Sequence, residues 1–210
     1  MAGHSDSDPV VQQIIVADEV ETHENAVFRA ATVSAGAYKV QRLYGSLPGD
    51  WDPWVKGRFT KVVRHTSAKK LHKLVQVHAG FTYGLDTPTA VAFAPMRVSA
   101  LPKDISRLRV SGFDLPRTGQ WPMVGDCRSP EVFINANVDM TTGKTCAQVA
   151  HGLVGWCIRQ SDETLESIDR PEPWLEDVMN FPDIAAKASI VITDAGFTEI
   201  TPGTATVAVL

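Results

Sequence analysis

The sequence predicts an α/β protein, a layered α/β/α arrangement with small mixed sheets. Two observations predict it. Short apolar runs of strand length alternate with longer Ala- and Gly-rich stretches of helical spacing, the pattern of layered α/β folds. The alternation also restarts after a Pro- and Gly-rich stretch near the middle of the 210-residue chain, so one unit follows another.

Gln12 to Ala17 is a compact apolar run ending at Asp18 and Glu19, and reads as a strand. Thr22 is placed to cap a helix from His23 to Leu43, rich in small residues that allow close approach to a sheet. Gly45 to Gly57 holds Pro48, Gly49 and Pro53 and reads as a loop carrying Trp51 and Trp54. Phe59 to Arg64 is strand-like. Ser67 then caps a helix to His78, with Leu71, Leu74 and Val75 on one face. Ala90 to Ala94 is a strand stopped by Pro95, and Arg107 to Phe113 alternates with period two, as a strand does. Pro116, Gly119, Pro122, Gly125 and Pro130 mark Asp114 to Pro130 as the linker. Beyond it come a strand at Val132 to Ile134 and a helix from Gly143 to Arg159. A second helix is expected at Pro173 to Asn180, with Pro173 in its first turn. Strands at Ala188 to Ile192 and Thr204 to Leu210 close the chain.

Side by side, the halves read as two copies of one unit: residues 1–115, a linker at 116–130, and residues 131–210. Each copy opens with a strand and a small-residue helix and ends with two strands around a Pro-containing segment. On this reading the middle strand and helix, Phe59 to His78, have no partner in the second copy, which is therefore shortened. The matching positions pair Lys144 with Phe28, Gln148 with Thr32, His151 with Ala35 and Asp194 with Ala94, so the first copy lacks the charged residues of the second.

The composition is that of an ordinary globular protein, and no run of about twenty apolar residues is present, so no membrane span or membrane partner is expected. Met1 to Pro9 is polar and has neither the basic start nor the apolar core of a secretory signal; a frayed tail is expected there. The three cysteines, Cys127, Cys146 and Cys157, form no Cys-x-x-Cys pair, which fits a reducing cytoplasm and inert buried thiols. No ligand-spaced His/Cys set points to a metal, and no cofactor is expected. Charge is unevenly placed. Trp54 to Leu85 has no acidic residue but holds Lys61, Arg64, Lys69, Lys70 and Lys73, which is either a phosphate-binding face or a solvated basic edge. The stretch from Asp162 to Asp183 is strongly acidic.

Chemistry-bearing residues gather in the second half. At 100° per residue, Lys144, Gln148 and His151 share one face of their helix within about 60°, while Val149, Ala150, Leu153 and Val154 suit burial. The helix N-terminus offers unpaired N–H groups and the positive dipole end. Lys144 beside it makes an anion-attracting corner, or the stripe is merely the wet face of the helix. Asp194 ends the run Ile190 to Thr193 and precedes Ala195-Gly196, so it is either a site residue at a strand end or an Asx-turn residue. Thr198, Thr201, Thr204 and Thr206 add hydroxyls, some of them simply β-strand threonines.

Two of these segments carry a resemblance. Gly143-Lys-Thr-Cys-Ala-Gln-Val-Ala-His-Gly152, and Asp194-Ala-Gly-Phe-Thr with Thr201-Pro-Gly-Thr-Ala-Thr206, resemble the two signature segments of the type II peptidyl-tRNA hydrolase family, in the same order. The resemblance covers about residues 130–210. It implies hydrolysis of the ester joining a peptide to the tRNA 3′ ribose, at a metal-free site of Lys144, Asp194, Thr198 and Thr204, with Gln148 and His151 on the same helix. Asp194 would activate water, directly or through a hydroxyl, and Lys144 with the helix N-terminus would meet the oxyanion. Lys61, Arg64, Lys69, Lys70 and Lys73 are then expected to border the cleft and hold tRNA. A non-catalytic binding or regulatory protein on the same scaffold, or a hydrolase of an ester or amide without nucleic acid, are the alternatives. The two halves are expected to share a large apolar interface containing Trp121, Trp156 and Trp174, which favours a monomer over a homodimer.

Overall fold

The computed structural model of the chain describes residues 8–84, 86–124, 128–195 and 200–210. The first half runs β1 (Val10–Ala17), α1 (His23–Tyr44), α2 (Trp51–Lys56), β2 (Lys61–Thr66), α3 (Ala68–Val77), β3 (Gly80–Tyr83), β4 (Ala90–Phe93), β5 (Met96–Arg97), a 3₁₀ turn and α4 (Lys103–Ser106). The second runs β6 (Glu131–Asn135), α5 (Thr142–Arg159), α6 (Asp162–Ser167), β7 (Trp174–Val178), α7 (Phe181–Ala185), β8 (Ile190–Thr193) and β9 (Ala205–Val209). The fold is α/β with small mixed sheets, as expected.

The two sheets share one topology. The first has the order β2-β1-β4-β3, with β5 added beside β1, and the second has β7-β6-β9-β8. In each, the opening strand lies parallel to the second strand and antiparallel to the last. Parallel neighbours need a crossover, and α1 and α5 supply it. The return connections through α3 and α7 cross the sheets in the opposite direction, so the right-handed rule places them on the opposite faces. In the second sheet the side chains bear this out. Val132, Ile134, Val207 and Val209 point into the main core with α5, whereas Phe133 and Ala208 lie under Phe181 of α7. The layers therefore run α3, first sheet, α1 with α5, second sheet, α7.

The helices α1 and α5 lie side by side and parallel. At their N-termini the His23 ring meets the Thr142 hydroxyl at 3.0 Å. At their C-termini Arg42 donates to the carbonyls of Cys157 and Gln160 at 3.0 and 2.8 Å. A guanidinium there satisfies carbonyls that have no helical partner and meets the negative dipole end. One apolar core runs through both halves, from Ile14 and Phe28 to Leu153 and Val207.

Several elements differ from the sequence reading. The second half is not shortened: β7 and α7 are its middle strand and helix. Pro173 to Asn180 reads as a helix in sequence, but Trp174–Val178 pairs in parallel register with β6. Leu175 and Val178 are its buried side chains, and pairing with a ready strand overrides local propensity. Arg107 to Phe113 forms no strand, only a single bridge between His65 and Arg109 along the free edge of β2. The 45–57 loop contains α2, which buries Trp51 and Trp54. Trp121 and Trp156 pack against the shared core, but Trp174 is 45% exposed and lies outside it.

Residues 113–119 are not a slack tether but a strap tied to both helix N-termini. The N–H of Gly143 donates to the Phe113 carbonyl at 3.0 Å, and the N–H of His23 donates to the Pro116 carbonyl at 2.9 Å. The buried Glu24 carboxylate accepts from the N–H groups of Thr118 and Gly119 at 2.7 and 2.6 Å. Burial alone would raise its pKa, but N–H donors from its own backbone, Gly119 and Thr118 outweigh that and hold it lower than usual.

Candidate functional site

The site is built where α5 passes the ends of β8 and β9. Thr141 caps α5 by accepting from the Lys144 N–H at 3.3 Å, which starts the helix so that Lys144 and Gln148 fall one turn apart on the face toward β8. Asp194 follows β8 and is 4% exposed. Its backbone is clamped against the following turn: its N–H donates to the Thr204 carbonyl at 2.9 Å, and its carbonyl accepts from Gly203 at 2.8 Å. Gly203 has φ +82°, a left-handed turn that glycine adopts without strain.

The side chains converge. The Lys144 ammonium forms an ion pair with Asp194 Oδ2. Gln148 Nε2 donates to the same oxygen at 2.9 Å, and the Thr206 hydroxyl donates to Gln148 Oε1 at 2.9 Å. This relay fixes which way the Gln148 amide faces and holds the Asp194 carboxylate towards Lys144. Gly152, one turn beyond Gln148, lets the helix approach the sheet, since a Cβ there would sit 3.0 Å from Val209 and 3.1 Å from Val207.

Beside the pair lies a pocket of about 550 Å³. Lys144, Gly143 and Ala147 of α5 line one wall, Lys61 and Val63 of β2 another, and Phe113 and Asp114 of the strap close it. It lies between the halves and draws on both.

The expected residues divide as follows. Lys144, Gln148 and Asp194 are together. Thr204 meets Asp194 through its backbone, and Thr206 supplies the hydroxyl that completes the relay. In sequence Thr206 is one of several threonines of the closing segment, and strand threonines are common, so no local signal marks it. Thr198 and Cys127 lie outside the described residues. His151 faces the first half, where Nε2 donates to the Phe59 carbonyl at 2.6 Å. Burial, then the Lys61 charge, lower its pKa to about 3, against the opposing effect of the Phe59 carbonyl. It is a neutral packing group and not a member of the relay.

The helix N-terminus also differs from expectation. Its N–H groups are already taken: Thr142 donates to Asp114 Oδ1 at 3.1 Å, Gly143 to Phe113, and Lys144 to the Thr141 hydroxyl. Lys144 is therefore the donor that α5 presents to the pocket, without an array of free amides. Of the basic window, Lys61 alone lines the pocket. Alternation along β2 sends Arg64 to the other face, where it donates to Gln13 at 2.7 Å and to the Leu108 carbonyl at 2.8 Å. Lys69, Lys70 and Lys73 are exposed on α3, the outer layer. They do not border the pocket.

Among the described residues the first half holds no lysine, glutamine and aspartate joined in this way. Counted from the capping threonines Thr22 and Thr141, Lys144 matches Asn25, Gln148 matches Arg29 and His151 matches Thr32. The pairing registers set Gly84 where Asp194 stands. Phe28, Thr32, Ala35 and Ala94, the matches offered by the sequence for Lys144, Gln148, His151 and Asp194 in turn, do not fall at these positions of the first half. Cys146 and Cys157 are buried thiols whose pKa burial pushes up, Cys157 to about 12, and they are inert. Among the described residues no cluster of His, Cys, Asp or Glu has the makings of a metal site, and no helix is long and apolar enough to cross a membrane.

No protein-family model, curated protein or solved structure matches this chain.

Proposed function

We propose that this chain is a hydrolase of a carboxylic ester or amide, working with Lys144 and Asp194 on a scaffold like that of the type II peptidyl-tRNA hydrolases. The observation that carries this reading is the pairing of half-buried Lys144 with buried Asp194, oriented by Gln148 and Thr206, at the wall of a substrate-sized pocket. In the proposed reaction the acyl carbonyl lies against the Lys144 ammonium. A water attacks the carbonyl carbon, and its proton passes to Asp194, directly or through a hydroxyl. Charge growing on the carbonyl oxygen is met by Lys144 in a partly dry site, where such a contact is worth more than in water. The intermediate collapses by breaking the bond to the leaving alcohol or amine, which takes the proton back. The shared strand order of the sheets supports reading the halves as two copies of one unit, the first without a site and the second with one.

Peptidyl-tRNA is one candidate substrate, motivated by the signature-like segments. The position of Lys69, Lys70 and Lys73 on the outer layer favours a second candidate, a small acyl ester or amide without nucleic acid. One assay separates them: peptidyl-tRNA and an N-acyl amino acid methyl ester, each offered to the intact chain, Lys144→Met and Asp194→Ala. The expected outcome is turnover of at least one substrate, with kcat lowered by about 10²–10³ in Lys144→Met, the scale of losing one oxyanion donor. Turnover of neither substrate, or equal turnover by all three chains, sinks the catalytic reading.

A further inference from the structure

The pocket contains a second lysine that the hydrolytic reading does not use. Lys61 opens β2 on the face that α5 covers, and it is 7% exposed. Its amine lies 3.5 Å from the centroid of the Phe59 ring and 4.7 Å from that of Trp54. Among the described residues the polar contact of its amine is a long hydrogen bond, 3.4 Å, to the Phe59 carbonyl. No carboxylate pairs with it among the described residues. Of the other ionisable groups here, Lys144 and His151 lie close, and the Asp114 carboxylate at the rim is bonded to Thr142. Lys144 is a cation already committed to Asp194.

This environment acts against a charged amine. Taking an ammonium out of water costs several kcal/mol even after relaxation, whereas each aromatic face returns about 0.5–2 kcal/mol. Burial accordingly holds the Lys61 pKa well below the ordinary lysine range. Amines activated as nucleophiles are made in this way, by an apolar pocket or a neighbouring cation. The apolar, aromatic-lined surroundings of Lys61 are of the first kind.

We infer that Lys61 is a nucleophilic amine of this pocket that takes a small aldehyde or ketone as an imine. The step needs no redox partner. The Lys61 nitrogen lone pair attacks the carbonyl carbon as the carbonyl π pair moves to oxygen. One N–H proton transfers to that oxygen to give a carbinolamine. The hydroxyl then takes a proton from solvent and leaves as water while the C=N bond forms, and the remaining N–H proton returns to solvent on formation of the neutral imine. The inference does not depend on hydrolysis at Lys144 and Asp194.

Reductive trapping tests it. The intact chain is treated at neutral pH with propanal and sodium cyanoborohydride, and propylated lysines are mapped over time by peptide mass spectrometry. Each unit of lowered pKa raises the reactive neutral fraction about tenfold, so Lys61 should be modified at least about ten times faster than the exposed Lys69, Lys70 and Lys73. A Lys61→Met chain should lose this early product and keep the slow ones. Modification that follows exposure, with Lys61 last or untouched, overturns the inference. An early product that persists in Lys61→Met overturns it too, since the reactive amine would then be another.

Discussion

At the scale of single residues, the molecule is notable for polar groups held in defined states inside the core. His23 is 1% exposed, and its Nδ1 faces the Thr142 hydroxyl. That hydroxyl gives its one proton to Asp114, so the His23 ring donates to it through Nδ1. Burial, then the Arg117 charge, depress its pKa to about 4, and His151 is depressed to about 3. Both lie below the value of about 6.5 expected in the unfolded chain, so the unfolded state binds protons first. The stability contributed by keeping these rings neutral is complete above about pH 6.5 and is lost as the pH falls towards 4. Each ring should contribute a slope of about 1.4 kcal/mol per pH unit in that window. Urea unfolding at a series of pH values between neutrality and about 5, above the range where most carboxylates titrate, measures it. His151→Gln should remove about half of the slope, and a stability that stays flat across that window contradicts the assignment.

At the scale of elements, α1 and α5 are placed by what their glycines leave out. Gly36 of α1 and Gly155 of α5 stand at equal distances from their capping threonines, and each faces the corresponding edge strand. A Cβ on Gly36 would come 2.2 Å from the Phe81 ring, whereas one on Gly155 would come 3.5 Å from Ile190, an ordinary contact. The same substitution should therefore have opposite signs. Gly155→Ala should stabilise by up to about 1 kcal/mol through helix propensity. Gly36→Ala should destabilise by about 1–3 kcal/mol, because Phe81 must be displaced from a packed position. Denaturant midpoints of the two variants decide the matter; shifts of the same sign would mean that the two helices do not meet their sheets as described.

At the scale of the whole molecule, the halves are joined by more than chain connectivity. The core is continuous across α1 and α5, the strap ties both helix N-termini, and Arg42 closes the C-terminal end of α5. Cutting the chain at the strap would expose the apolar face of α5 and leave its first N–H groups without Asp114 and Phe113. Residues 130–210 expressed alone should fail to unfold cooperatively, and should regain structure when residues 1–129 are added. A soluble fragment with a cooperative thermal transition of its own would make the second half an independent domain.

Sequence alone determined what depends on neighbours along the chain. The α/β class, both long helices, the first with its capping threonine Thr22, and most strands were legible because helix periodicity, caps and short apolar runs are local signals. Lys144, Gln148 and Asp194 were legible as a candidate set, since a helical stripe and a tight turn after a strand are local too. The tertiary structure decided whatever depends on partners far away in sequence. Trp174–Val178 is a strand because β6 lies beside it. Thr206 counts because it reaches Gln148. Arg64 leaves the pocket while Lys61 stays, because β2 turns alternate residues to opposite faces of a sheet whose two sides have different coverings. The amides of α5 are occupied because the strap returns to them. Burial, pairing and the direction of a face are set by contacts across the core, and no local pattern encodes which side of an element those contacts will cover.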